Sequence, residues 1–237
     1  MKKLLIITTL SFFSLLLVGC SDEPEYQKTA GDYQEVDSCY QIFPIAYSDG
    51  NGDGMGDLEG IMDKADYLTD TLDVDCVWLT PVNESPSYHK YDVVDYYSID
   101  EQFGDEETYE EFLDTMEEND IKVLMDFVIN HTSYQHPWFE DARSDEDSEY
   151  RDYYVWSDEE ALDEDYNSKE GWVAHGDEYY FASFWDQMPE LNYENEDVRE
   201  EIKEIASYWL DKGVDGFRID AARHIYDRNE FPSSMDT

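Results

Sequence analysis

Short apolar runs that alternate with amphipathic helical stretches limit the fold of this chain more than any other feature. The predicted buried strands are 39–44, 76–79, 121–127 and 216–220. Between them, apolar residues recur at helical spacing in the stretches 58–68, 108–119 and 198–212. A repeated order of strand, helix and strand predicts a parallel sheet that is covered by helices.

One long segment interrupts this alternation. Residues 132–195 are rich in Tyr, Trp, Gly and acidic residues and have weak periodicity. A segment this long inside a compact domain predicts a small inserted domain. The helix after it is expected to be capped by Asp197 and to end at Gly213.

The last predicted strand carries charged residues toward its carboxyl end. Alternate residues of a strand point the same way, so Arg218 and Asp220 project together while Phe217 and Ile219 face the opposite, apolar layer. A guanidinium beside a carboxylate favours the ionised form of the acid. A permanently charged Asp is suited to act as a nucleophile or an electrostatic stabiliser. The alternative is a structural Arg–Asp pair at a strand end.

Two motifs resemble conserved stretches of one enzyme family. Residues 213–224, Gly-Val-Asp-Gly-Phe-Arg-Ile-Asp-Ala-Ala-Arg-His, are similar to the nucleophile strand of the α-amylase family (glycoside hydrolase family 13). Residues 126–131, Asp-Phe-Val-Ile-Asn-His, match that family's D-x-V-x-N-H motif at every specified position. The resemblance implies that Asp220 and Arg218 are catalytic, with Asp220 as the nucleophile. It also implies that His131 donates a hydrogen bond to a sugar hydroxyl and that His224 binds substrate.

Two loops extend the resemblance. Residues 85–97 are similar to the family's H-G-Y-D-x-x-D-Y-Y loop, with Lys90 in place of the usual Gly. In that loop the residue equivalent to Tyr91 stacks on the sugar beside the scissile bond; the alternative is a surface-exposed aromatic cluster. Residues 188–192 are similar to M-P-D-L-N, with Glu190 in place of Asp. The resemblance implies the first half of a TIM (β/α)₈ barrel, strands one to four, at 38–131 and 196–237, with domain 132–195 inserted after strand three.

The loop after the first predicted strand is rich in oxygen donors. Side-chain oxygens at alternating positions, with glycines for sharp turns, suit a hard cation such as Ca²⁺. The loop resembles the D-x-N-x-D-G-x-G-D loop of a subset of the same family. That resemblance implies a Ca²⁺ site formed by the side chains of Asp49, Asn51, Asp53 and Asp57 and the carbonyl of Met55. A turn rich in Gly and Asp that binds no metal is the alternative.

The chain is strongly acidic. Its formal net charge is −45, with 60 acidic and 15 basic residues. This charge argues against nucleic acid or an anionic membrane surface as a partner. A solvated, highly charged surface is the usual explanation of such a charge. A more specific one is a saline environment, in which salt screens the repulsion among the negative charges of the folded protein.

The first 19 residues predict a targeting segment. Two lysines precede an apolar run, 4–18, that is too short for a membrane span. The run ends before Cys20 and resembles a bacterial lipoprotein signal, which implies cleavage before Cys20 and attachment of lipid to it. An ordinary signal peptide with an incidental cysteine is the alternative. Residues 20–37 are then an acidic tether, and the protein is expected to be exported and anchored at the cell envelope through the lipid.

Two further cysteines lie in the predicted globular part. Cys39 and Cys76 permit one disulfide outside the cytoplasm. Both lie in predicted buried strands, so free core thiols are expected.

The family resemblance implies a retaining glycosidase that acts on α-glucan, either starch or maltooligosaccharides. Retention requires two carboxyl groups about 5–5.5 Å apart. In the family the general acid is a Glu after strand five, and neither this Glu nor the later Asp and His after strand seven has a counterpart among the 237 residues. We therefore expect a hydrolase sequence that is truncated before its general acid and is inactive by itself. The alternatives are a catalytically inactive lipoprotein that binds glucan and calcium, and an acidic calcium-binding structural protein.

Overall fold

A computed structural model of the chain describes residues 36–158 and 171–225. The predicted signal segment, Cys20 and nearly all of the tether lie outside these residues, as do part of the inserted segment and the last twelve positions. Within the described ranges, no helix combines the length and the apolar character needed to cross a membrane.

The described residues contain nine strands and four α-helices. The strands are β1 (Cys39–Ile42), β2 (Cys76–Leu79), β3 (Asn83–Glu84), β4 (Asp95–Ile99), β5 (Lys122–Phe127), β6 (Trp156–Asp158), β7 (Trp172–His175), β8 (Glu178–Phe181) and β9 (Gly216–Ile219). The helices are α1 (Leu58–Met62), α2 (Glu106–Glu118), α3 (Pro137–Ser144) and α4 (Glu196–Asp211). Shorter turns are a π-helical one at Tyr67–Thr71 and 3-10 turns at Pro44–Ala46, Arg151–Tyr153 and Ala222–His224.

A four-stranded parallel sheet positions the candidate site. Its order is β1-β2-β5-β9, and each strand pairs in parallel with the next. The predicted parallel arrangement of four strands in chain order is therefore confirmed. Because the strands are parallel, their carboxyl ends meet at one edge, where Asp126 and Arg218 are register partners on β5 and β9.

The two outer strands are less buried than the sequence predicts. Only Ile42 of β1 is buried, and no residue of β9 is. Ile219 is 39% exposed, although Phe217 packs on Phe127 with ring centroids 4.8 Å apart. Each outer strand has a neighbour on one side only among the described residues, which leaves its other side open.

The helices follow their predicted positions with small differences at their ends. α2 begins at Glu106, two residues before the predicted start. It begins there because the Asp105 side chain caps the helix by accepting a hydrogen bond from the Thr108 amide. The prediction that Asp197 caps α4 is wrong, because the Asn195 side chain accepts from the Asp197 amide. Gly213 follows α4 with φ 108°, the left-handed conformation predicted for the helix end.

The predicted helix 58–68 is divided. α1 ends at Met62, and the spacing of the backbone hydrogen bonds then changes. The Lys64 amide donates to the carbonyl three residues earlier, at Ile61, whereas the Leu72 amide donates to the carbonyl five residues earlier, at Tyr67. Ile61 remains fully buried through this change, and so does Leu68. The apolar face that suggested one long helix is therefore kept by two short turns.

The interrupting segment forms its own small sheet. Strands β6, β8 and β7 are antiparallel in that order, and α3 packs nearby. The fully buried Phe139 of α3 stacks on Trp156, with ring centroids 5.7 Å apart and an interplanar angle of 5°. The Tyr193 hydroxyl donates to the carbonyl of Ile129 at 2.7 Å, which ties the segment back to the end of β5.

Cys39 and Cys76 form a disulfide, so the expectation of free core thiols is wrong. They are register partners on the adjacent strands β1 and β2, with Cα atoms 4.3 Å apart. Cys76 is buried, but Cys39 lies on the exposed part of β1. Register, which the sequence does not show, brings the two sulfurs together.

Candidate active site

Arg218 joins two carboxylates at the carboxyl edge of the parallel sheet. Its Nη1 lies 3.1 and 3.2 Å from the two oxygens of Asp126 and 2.5 Å from Oδ1 of Asp220. Asp220 directly follows β9, and its amide donates to the carbonyl of Phe127 at 3.1 Å. The structure thus brings the predicted Arg218–Asp220 pair together and adds Asp126 as a second acceptor.

Asp126 is the buried centre of the site. It is 1% exposed, and Oδ2 also accepts from the Trp78 indole at 3.2 Å and from the Tyr91 hydroxyl at 2.9 Å. Burial raises the pKa of Asp126 to about 6, against the opposing effects of Arg218 and the Tyr91 hydrogen bond. Burial, followed by the Asp126 charge, raises the pKa of Tyr91 above its usual range, so the hydroxyl keeps its proton as a donor.

His131 contacts Tyr91 from the other side. It is 2% exposed, and Nε2 lies 3.1 Å from the Tyr91 carbonyl oxygen. A carbonyl only accepts, so Nε2 carries the proton, and Nδ1 is left to accept from the Asn130 amide at 3.3 Å. Burial lowers the pKa of His131 to about 4, which makes the ring neutral at pH 7. Both ring nitrogens therefore contact protein groups, and the predicted contact with a sugar hydroxyl stays a prediction.

Phe184 links the two predicted substrate-binding histidines. Its ring centroid is 5.4 Å from that of His131 and 5.0 Å from that of His224. Phe184 belongs to the inserted segment and is 49% exposed. His224 lies in a 3-10 turn, and its Nε2 is 3.1 Å from Nε of Arg223.

Sequence reasoning did not assign Phe184 or Trp78 to the site. The Trp78 indole lies over the guanidinium of Arg218, with the cation 4.9 Å from the ring centroid. A usable signal existed in β2, where Trp78 lies between the buried residues Val77 and Leu79 and so points to the other face. Phe184 had a weaker signal, its position shortly before the Met-Pro-Glu-Leu-Asn motif.

The motif that closes the inserted segment contacts the same site. Glu190 forms an antiparallel bridge with His131 and is 2% exposed. Its carboxylate accepts from the Ser183 amide at 3.1 Å and from the Ser183 hydroxyl. The longer side chain that replaces the family's Asp is therefore accommodated by a serine of the same segment.

The predicted calcium loop is an ordered turn. The side-chain oxygens of Asp49, Asn51, Asp53 and Asp57 accept hydrogen bonds from backbone amides of the loop and of the first turn of α1. Within the described ranges, no group of three or more His, Cys, Asp or Glu side chains is placed to hold a metal ion. The oxygens of Asp49, Asn51 and Asp53 that accept one amide hydrogen keep a second lone pair, whereas both oxygens of Asp57 already accept from two amides. The first three side chains therefore fit a hard cation in kind, and the site stays a prediction.

The chain matches known proteins along most of its length. The family model for the α-amylase catalytic domain matches residues 41–237. An α-amylase of Dictyoglomus thermophilum is 46% identical over 188 residues, which cover 79% of this chain and 37% of that protein. An oligo-1,6-glucosidase of Bacillus cereus is 43% identical over 202 residues, covering 82% of this chain and 36% of the relative.

A solved structure agrees with these relatives. The crystal structure of an α-amylase from H. orenii has a TM-score of 0.76 and 43% identity, over 83% of this chain and 42% of that one. The chain thus spans little more than a third of the length of the relatives it matches. Over that length, family model, sequence and fold agree, and the chain belongs to the α-amylase family, glycoside hydrolase family 13.

Proposed function

We propose that this chain supplies the nucleophile side of the active site of a retaining α-glucan hydrolase. The observation that carries the proposal is Asp220 at the carboxyl end of a parallel strand, ion-paired with Arg218 beside the buried Asp126. Barrel enzymes place their chemistry at this edge. The four parallel strands would then be the first half of the eight-stranded barrel.

In the proposed reaction, ionised Asp220 attacks the anomeric carbon of the sugar and forms a covalent glycosyl-enzyme intermediate. Water then resolves the intermediate, with overall retention of configuration. Arg218 cannot be deprotonated in practice, so it keeps a positive charge beside the nucleophile. Its Nη1 contacts both carboxylates while the planar guanidinium lies against the Trp78 ring, an arrangement that the point charge of a lysine would not reproduce.

The reaction also needs a general acid. Asp126 does not fit that role in this structure, because both of its oxygens accept hydrogen bonds from Arg218. In the family the acid is a Glu after strand five. Starch or maltooligosaccharide is the proposed substrate, with the Tyr91 ring as a platform for the sugar beside the scissile bond. The relatives support this substrate class, since they include an α-amylase and an oligo-1,6-glucosidase.

We propose two further properties of the protein. Ca²⁺ would be held by the oxygens of loop 49–57, which are preordered by backbone amides.

Export and lipid anchoring at Cys20 are supported by the apolar run before that cysteine. The Cys39–Cys76 disulfide supports an oxidising compartment, because such bonds persist mainly outside the cytoplasm.

Hydrolysis by the full-length protein that contains these residues tests the proposed function. Asp220→Asn keeps the shape of the side chain but removes its charge, so release of reducing sugar from starch should fall by several orders of magnitude. Arg218→Lys should also reduce the rate strongly. Unchanged hydrolysis by Asp220→Asn would contradict the proposal. The isolated 237-residue chain is the comparison, and we expect no measurable hydrolysis from it.

A further inference from the structure

Lys90 occupies a backbone conformation that usually favours glycine. Its φ is 64°, in the left-handed region, and the residue is only 5% exposed. Glycine would adopt this φ without steric cost, whereas a lysine must be held there by its surroundings. A lysine is also among the residues that are least often buried, unless it is paired. Its presence therefore points to a specific contact.

That contact is a buried ion pair. Nζ of Lys90 lies 2.7 Å from Oδ2 of Asp100 and also donates to the carbonyl of Ser85 at 3.0 Å. Asp100 is 7% exposed, and the same Oδ2 accepts from the Ser85 amide at 3.2 Å. The pair therefore holds both backbone polar groups of Ser85, at the start of the loop that carries Tyr91.

The loop is cross-linked from Ser85 to Tyr91. The Ser85 hydroxyl donates to Asp92 at 2.7 Å, next to Tyr91. The Lys90 amide donates to the Ser87 hydroxyl at 3.3 Å. These bonds connect the buried ion pair to the backbone on both sides of Tyr91.

Tyr91 in turn contacts the candidate active site at two points. Its hydroxyl donates to Asp126, and its carbonyl accepts from His131. A change in the left-handed turn at Lys90 would move both groups together, because they belong to the next residue. Buried ion pairs are weak evidence for stability. Here the pair contacts the backbone of Ser85, in the loop that carries Tyr91.

We propose that the Lys90–Asp100 ion pair positions Tyr91 for sugar binding. The pair holds Ser85 and the left-handed turn, and this sets where the Tyr91 ring stands at the carboxyl edge of the sheet. The inference rests on the proposed function in one respect, that the ligand is an α-glucan. Lys90 is a positioning residue and does not itself touch the sugar.

The test measures maltoheptaose binding by calorimetry in full-length protein that carries Asp220→Asn, which prevents turnover. Lys90→Met keeps the length of the stem and removes the charge. Lys90→Met combined with Asp100→Asn also avoids leaving a buried unpaired carboxylate, in case the single variant fails to fold. We expect both to raise the dissociation constant about tenfold, because a displaced platform costs binding geometry.

Two controls separate positioning from general stability. Lys122→Met removes a lysine whose Nζ pairs with Asp215 at 2.9 Å. Lys122 is the first residue of β5, so this pair lies at the amino ends of the strands, away from the candidate site at their carboxyl ends. This variant should leave the dissociation constant unchanged. Tyr91→Ala removes the platform, and in that background Lys90→Met should weaken binding no further. Non-additivity of this kind is the signature of two residues that act through one contact.

Each result decides the question. An unchanged dissociation constant in the Lys90 variants, or an equal loss with and without Tyr91, would overturn the proposal. If protein with Lys90 intact binds no maltoheptaose, the proposed function is contradicted. The positioning role of Lys90 is then tested separately, by the rate of hydrogen exchange at the backbone amides of Tyr91 and Asp92. Faster exchange in Lys90→Met but not in Lys122→Met supports that role, and equal exchange in the two overturns it.

Discussion

The hydroxyl of Tyr91 donates to Oδ2 of Asp126 across 2.9 Å, which joins the loop after β2 to the carboxyl end of β5. Thirty-five residues separate the two in sequence. The bond fixes one edge of the candidate active site and supplies a donor to a carboxylate that is almost fully buried.

Removing that donor should destabilise the fold. Tyr91→Phe leaves the ring in place but deprives the buried Asp126 of one hydrogen bond. We expect a loss of about 1–3 kcal/mol in the free energy of unfolding, measured by urea denaturation at pH 7. Tyr88→Phe is the matched control, because Tyr88 is 69% exposed and its loss of a hydroxyl should change little. Equal stabilities of the two variants would contradict the bond.

The buried Asp126 should make stability depend on pH. Burial raises its pKa to about 6, so between about pH 4 and 6 the folded state binds more protons than the unfolded state. Its contribution to stability is therefore fully present below the unfolded pKa and is lost as the pH rises through 6. The amount is on the order of 3 kcal/mol.

The comparison with Asp126→Asn isolates this effect. His131, whose pKa is lowered to about 4, has the opposite slope, and its contribution cancels because both proteins contain it. Thermal or urea unfolding between pH 4 and 7 gives the two curves. The stability of the wild-type protein relative to Asp126→Asn should fall across this window, and a difference that is constant with pH would rule out the raised pKa.

The disulfide should stabilise the parallel sheet. Cys39 and Cys76 are 37 positions apart. In the chain-entropy model, closing a loop of this length lowers the entropy of the unfolded chain and so raises the free energy of unfolding by about 4 kcal/mol. Dithiothreitol should therefore lower the urea midpoint of the wild-type protein. The Cys39→Ser/Cys76→Ser variant, which has no bond to reduce, should show no change. Equal behaviour of both proteins on reduction would mean that the bond does not form.

Ca²⁺ should bind to loop 49–57 through oxygen donors. Calorimetry with CaCl₂ should show binding heat for the wild-type protein and none at this site for Asp53→Ala, which removes a central carboxylate. Asp114→Ala, on the surface of α2, is the control for loss of one negative charge from this acidic chain. Equal heats from wild type and Asp53→Ala would exclude the site.

Local sequence patterns were sufficient for the strands and for the Arg218–Asp220 pair. Short apolar runs located all four parallel strands, and alternation along β9 placed the two charged side chains together. The family motifs added Tyr91 and His131, which do meet in space. These features depend on neighbouring residues or on motifs that can be matched directly.

Features that depend on register or on distant contacts could not be predicted. The disulfide requires Cys39 and Cys76 to be partners across two strands, which no local pattern shows. The Nε2 proton of His131 is donated to the carbonyl of Tyr91, forty residues earlier in the chain. Lys90, in its left-handed turn, pairs with the buried Asp100, ten residues later.

Covalent trapping identifies the nucleophile. The full-length protein is incubated with a fluorinated glycosyl donor whose leaving group makes formation of the glycosyl-enzyme intermediate faster than its breakdown, and the labelled peptide is mapped by mass spectrometry. We expect one label, on Asp220, and none in Asp220→Asn. A label on another residue, or a hydrolysis product of inverted anomeric configuration, would contradict it.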